Sequence, residues 1–89
     1  MLLDTLGWAY YHVGRLDESR ELLRDAIDKS RTDPERIPAL IHLGYLEFKA
    51  GDARAARNAY DQALRAAETS REMAEQFRDQ LEELKKALQ

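Results

Sequence analysis

The sequence predicts an all-α fold: a short α-solenoid of two helix-turn-helix hairpins followed by a terminal helix, about five helices in all. Composition is the first reason, because alanine, leucine, arginine and glutamate dominate while β-branched residues are few. The second is apolar residues at helical spacing, interrupted at Gly14 and Gly51. The third is an internal repeat. Leu6-Gly7-Trp8-Ala9-Tyr10 returns 37 residues later as Leu43-Gly44-Tyr45-Leu46-Glu47. Leu3 returns as Leu40, Gly14 as Gly51, Leu23 as Tyr60, Ala26 as Ala63 and Ile27 as Leu64. A repeated period implies a repeated supersecondary unit, and such units stack because neither buries its apolar face alone.

The 89 residues make one small domain, near the lower limit for an unassisted core. The expected partition is a first unit over 2–31, a second over 34–68 and a closing helix over 69–89, the whole reading as a piece of a larger protein. With 14 basic and 17 acidic residues the chain is mildly acidic, against a nucleic-acid scaffold, which needs a basic patch to neutralise phosphates. Cysteine is absent, so no disulfide, thiolate metal site or cysteine nucleophile exists. No apolar run is long enough to insert in a bilayer, and Met1-Leu2-Leu3 leads directly into Asp4, unlike a signal peptide.

The first helix is expected over Leu2 to Val13, with Leu3, Leu6, Ala9, Tyr10 and Val13 at helical spacing and Gly14 ending it in left-handed geometry. A second begins near Asp17-Glu18, whose carboxylates suit the positive end of the helix dipole, and fades around Ser30-Arg31. Thr32-Asp33-Pro34-Glu35 reads either as a capping box of Thr32 with Glu35 or as an Asp33 N-cap followed by Pro34. Pro38 forfeits a backbone hydrogen bond, so the third helix is expected to be irregular before it and clean from about Pro38 to Ala50. Asp52 caps a fourth helix, about Ala53 to Glu68. Thr69 with Glu72 suggests another capping box, opening a helix with one apolar stripe of Met73, Phe77, Leu81, Leu84 and Leu88. The alternative is one long rod continuous with the fourth helix.

These residues resemble the tetratricopeptide repeat, a helix-turn-helix unit with a usual period of about 34 residues. Leu6, Gly7, Tyr10, Gly14, Leu16, Leu23 and Ala26 carry the likeness in the first unit; Leu43, Gly44, Gly51, Ala56, Tyr60 and Ala63 carry it in the second. It covers about Leu2 to Ala67, and the phrase Asp4 to Tyr11 is also similar to late repeats of bacterial repeat proteins. Small residues explain the pattern physically: Gly7 and Gly44, with Ser19, Ala26, Ala56 and Ala63, let the two helices of a unit approach closely. Leu23 and Tyr60 then fill the space between units. The sequence departs from the family in three ways. Leu3 and Leu40 stand where tryptophan is common, Glu47 stands at a usual tyrosine position, and the period is longer by an insertion placed at Thr32 to Arg36. Glu47 is expected either to face solvent or to pair with an arginine.

The resemblance implies a peptide-binding groove lined by the first helix of each unit. Carried over, the partner-binding residues are Asp4, Trp8, Tyr11 and His12 from the first unit and Ile41, His42, Tyr45, Phe48 and Lys49 from the second. The amphipathic pattern agrees, since Trp8, Tyr11 and His12 share a face distinct from that of Leu3, Leu6 and Tyr10. Exposed aromatics are frequent interface anchors. Alternatively they pack on one another or on the terminal helix, or a second copy covers them to give a homodimer. Family members that clamp a C-terminal carboxylate use basic and amide groups; the corresponding places here hold Asp4, Trp8, Ile41 and Tyr45. The expected ligand is therefore apolar or aromatic, with a basic group to meet Asp4.

Enzymatic readings find no support. His12 and His42 lack an evident third metal ligand. There is no phosphate-binding glycine loop, and no serine has a histidine at motif spacing. Glu82-Glu83 reads as a solvated pair, and no cofactor is implied. The expected function is a protein–protein interaction module; the alternative is self-association through the groove or through the terminal apolar stripe.

Overall fold

The computed structural model describes residues 3–89. Among them the chain forms six helices and no strand: α1 (Leu3–His12), α2 (Leu16–Lys29), α3 (Asp33–Lys49), α4 (Ala53–Ala67), α5 (Arg71–Gln76) and α6 (Arg78–Ala87). Leu2, the expected start of the first helix, lies outside the described residues. The helices build a flat body of 35 × 31 × 17 Å. Helix α3 is its centre, packed against α1, α2, α4 and α6.

Both hairpins turn in the same way. Gly14 and Gly51 take φ of 84° and 90°, a region costly for any residue with a Cβ. Each closes its helix with two bonds. The Gly14 N–H donates to the Tyr11 carbonyl at 3.1 Å and the Arg15 N–H to Tyr10 at 3.0 Å; Gly51 donates to Phe48 at 3.1 Å and Asp52 to Glu47 at 2.8 Å. After the second turn the Asp52 carboxylate caps α4, accepting from the Ala55 N–H at 3.0 Å. After the first, the N-cap place falls to Arg15, which makes no such bond.

The link between hairpins departs from both expected caps. Thr32 occupies the N-cap position with an extended backbone, but its side chain caps nothing, and Asp33 is already helical. Glu35 instead reaches back to the Arg31 N–H at 3.2 Å. Helix α3 also runs unbroken through Pro38, correcting the expectation of an irregular start there. Only the bond to the Pro34 carbonyl is forfeited, one turn into the helix, while Ile37 and Ala39 on either side are fully buried. Burial of the neighbouring turns outweighs one missing bond.

The terminal segment is separate from α4. Its cap is Ser70 rather than Thr69: the Ser70 hydroxyl accepts from the Met73 N–H at 3.0 Å, whereas Thr69 donates back to the Ala66 carbonyl at 2.7 Å. A second, unexpected interruption at Phe77 divides the segment into α5 and α6. The apolar stripe is spent inside the molecule. Phe77, Leu81 and Leu84 join Ile37, Leu40, Ile41, Tyr60 and Ala63 in the core, with Met73 and Leu88 packed against it. Self-association through that stripe is thereby corrected: its side chains already cover α3 and α4.

The two helical glycines are alike in role but not in neighbours. A Cβ on Gly7 would meet Leu23 at 3.0 Å and Leu22 at 3.3 Å, both on α2 of the same hairpin. A Cβ on Gly44 would meet Leu84 of α6 at 2.8 Å, and only then the Ala56 carbonyl of α4 at 3.6 Å. The close approach expected within the second hairpin is therefore shared with the terminal segment. In the first hairpin, the buried Ser19 hydroxyl donates to the Gly7 carbonyl at 2.6 Å.

The Glu47 alternatives resolve in favour of pairing. Its carboxylate is 4 % exposed, and Arg20 of α2 grips it with Nη2 at 2.7 Å and Nε at 3.1 and 3.2 Å from the two oxygens. Arg24 approaches at 3.7 Å. The hydrogen bond to Glu47 raises the Arg20 pKa against the opposing effect of burial. The Arg20–Glu47 pair thus helps to join the first hairpin to the second.

Candidate functional site

Helices α1 and α3 run side by side and place the candidate residues on one side of the slab. At the centre is Trp8. The Tyr11 ring lies 4.5 Å from it at an interplanar angle of 2°, and the His42 ring 4.1 Å from it at 13°. Two coplanar rings have no room so close together over one face, so they lie on opposite faces of the indole. The ammonium of Lys49 sits 4.8 Å from the Tyr11 ring centroid, on the side that Trp8 leaves open. His12 meets the indole edge-on at 4.6 Å, and Tyr45 tilts against it at 5.8 Å. The aromatics thus pack on one another, and Trp8 is half-buried rather than a free anchor.

His42 is held from behind. Its Nδ1 lies 2.6 Å from Oδ1 of Asp4, a pair in which both side chains are largely covered. Asp4 is therefore turned to the wall of the site and also borders a separate hollow of about 620 Å³ between the start of α1, the end of α2 and the start of α3.

Next to the column is an open groove of about 320 Å³. Trp8, Tyr11 and His12 line it from α1; Ile41, His42 and Tyr45 line it from α3. Ile41 is 3 % exposed and forms floor rather than rim. Phe48 lies outside the groove lining but is 45 % exposed, a large apolar side chain left open to solvent. Two further lining residues, Gln80 and Glu83, come from α6. Sequence reasoning placed Glu83 among solvated charges. The available signal was position: Gln80 and Glu83 each precede a buried stripe residue, Leu81 and Leu84, so a helix seated on the stripe puts them along one edge. The Tyr45 phenol is raised above its ordinary pKa, by burial first, then by the Glu83 carboxylate and by Tyr11.

Among the described residues, no group of three or more His, Asp or Glu is placed to hold a metal ion, and no helix is long and apolar enough to cross a membrane. The profile of the tetratricopeptide repeat family matches residues 1–69. The chain belongs to that family. Its repeats are generally protein–protein interaction modules, and in this tetratricopeptide repeat protein the matched stretch takes in both hairpins and ends before α5. No curated protein and no solved structure compared with the chain matches it.

Proposed function

We propose that the groove between α1, α3 and α6 binds an extended segment of a partner protein, apolar or aromatic and carrying a basic residue. The observation that supports this most is the combination of a preassembled aromatic wall with a carboxylate at its edge: Trp8, Tyr11 and Tyr45, with Glu83 beside Tyr45. Rings fixed by one another lose little conformational freedom on binding, which favours affinity. Glu83 takes the role first expected of Asp4, whose carboxylate is engaged by His42. Phe48 extends the apolar surface beyond the groove. In this reading 2–31 and 34–68 are the two repeat units and 69–89 supplies the third wall.

The test uses the sole tryptophan. Emission from Trp8 is followed while a peptide panel is titrated, comparing apolar-basic with apolar-acidic sequences. Apolar-basic peptides should bind, and Tyr45→Ala should weaken them by about 2 kcal/mol, roughly thirtyfold. Glu83→Lys should reverse the charge preference. Equal binding of the parent and both variants removes the groove from the function. A concentration-dependent dimer dispersed by Tyr45→Ala would instead assign the groove to a second copy.

A further inference from the structure

Two histidines border the groove, and they are not equivalent. His12 is exposed, whereas 22 % of the His42 side chain is open to solvent. One face of the His42 ring is taken by Trp8, and its Nδ1 by Asp4. An ionised carboxylate only accepts, so Nδ1 carries the proton, and Nε2 of the neutral ring carries a lone pair. Nε2 has no hydrogen-bond partner among the described residues, and no buried side-chain nitrogen there is left without one. Nε2 is therefore on the part of the ring that solvent, or a ligand in the groove, can reach.

The groove thus offers acceptors from two helices, Nε2 of His42 on α3 and the Glu83 carboxylate on α6. Tyr45 lines it one helical turn beyond His42, and its phenol feels the Glu83 charge. An aromatic ring therefore accompanies the two acceptors. Arginine suits such a set, since its planar guanidinium carries five N–H donors and stacks on aromatic faces. We infer that the ligand's basic residue is an arginine that donates to Nε2 of neutral His42 as well as to Glu83, so that His42 restricts binding to its own uncharged form. This rests on the groove being the binding site.

Protonation of His42 reverses the match. Nε2 becomes a donor, and a cation then faces the guanidinium. Asp4 meets Nδ1–H in either state, so the ring keeps its orientation and only Nε2 changes role. Among the groups around His42, α1 brings Asp4 and His12, α6 brings Glu83, and Lys49 lies further along α3 against Tyr11. Behind Asp4, Lys29 and Glu35 border the neighbouring hollow as opposite charges, and α4 lines neither space. With neutral histidines, Asp4 and Glu83 outnumber Lys49. With both histidines charged, the cations outnumber the carboxylates.

Imidazole is the side chain that ordinarily changes charge between about pH 5.5 and 8, so the full chain is titrated by calorimetry at both ends of that range. The probe is a short capped peptide of leucine and phenylalanine with one arginine, compared with the same peptide carrying neutral citrulline. The arginine peptide should bind about tenfold or more tightly at the higher pH, and the citrulline peptide should lose that difference. His42→Gln should remove the pH dependence and His12→Gln should keep it, whatever either does to affinity. Nitrogen-15 spectra of the unliganded parent should show the neutral His42 ring protonated at Nδ1 and bare at Nε2, a readout that needs neither variant nor ligand. Equal binding of the arginine peptide at both pH values overturns the inference and leaves the groove standing as the site. Binding of neither peptide, with the His42 ring in the expected tautomer, overturns the groove reading and this inference with it. A pH dependence that survives His42→Gln, or a bare Nδ1, overturns the inference alone.

Discussion

A carboxylate as covered as that of Glu47 is costly unless its lone pairs are met, and Arg20 meets them in a fork. Removing the arginine strands the charge. Loss of one partner from a fully buried pair typically costs about 3–5 kcal/mol. Arg20 retains 25 % exposure, and Arg24 stands ready at 3.7 Å. Arg20→Ala should therefore destabilise by about 2 kcal/mol, below the range for full burial, measured by urea unfolding. The double change Arg20→Met with Glu47→Met should recover most of that loss. If the single variant unfolds like the parent, the pair contributes nothing to the join between hairpins. Tyrosine provides a second residue-scale test. The Tyr45 and Tyr60 phenols are both raised, each by burial first and then by a nearby glutamate, Glu83 and Glu82 respectively. A raised folded-state pKa means that the folded chain holds these protons more tightly than the unfolded one. The resulting stability is complete below pH of about 10 and is lost as pH climbs through the folded values. Phenolate absorbance should show two late-ionising tyrosines, with the unfolding midpoint falling in the same alkaline window.

Helix boundaries were most legible in the sequence where backbone geometry leaves one residue type free of strain. Gly14 and Gly51 are read correctly because a left-handed terminus penalises every Cβ. Gly51→Ala should cost about 1–2 kcal/mol for that reason, visible as a lower thermal midpoint. An unshifted midpoint would mean that the turn relaxes to another geometry. Caps were less legible, because Ser, Thr and Asp compete within a few positions. Thr69 and Ser70 are both competent N-caps, and the choice of Ser70 depends on where α5 must start to seat Met73 and Phe77 in the core. The bend at Phe77 has no breaker residue. Its N–H still donates to Met73 at 3.0 Å and its carbonyl still accepts from Leu81 at 2.9 Å, so hydrogen bonding continues through it. Only tertiary packing, which leaves the ring 4 % exposed, distinguishes the position. Pro38 was misread for a related reason: the neighbours' burial was not visible from the local chain.

For the whole molecule, the terminal segment is part of the core rather than an appendage. Leu84 is fully buried and fills the notch that Gly44 leaves open. Leu84→Ala should cost about 2–5 kcal/mol, a large share of the stability of so small a domain, and circular dichroism during urea unfolding would register it. A loss below about 1 kcal/mol would show that α6 sits only loosely on α3. The repeat period carried the two hairpins and the pairing of α1 with α3. It also carried the site partly: Asp4 and Ile41 are equivalent positions, so the next residue, His42, comes to Asp4 once the helices lie in register. The third wall, Gln80 and Glu83, lies outside the period and depends on how α6 is seated.

The fork between Arg20 and Glu47 also governs something neither hairpin fixes alone. A single ammonium could swivel about its contact, whereas a planar guanidinium holding both carboxylate oxygens resists rotation. Only Ser30 to Thr32 separate α2 from α3, and the hairpins' relative twist is fixed by this planar contact together with the Asp4–His42 pair and the stacking of Trp8 on His42. The spacing of the aromatic column from the edge of α6, and with it the curvature offered to a ligand, is then tuned in part by a residue pair that does not itself line the groove.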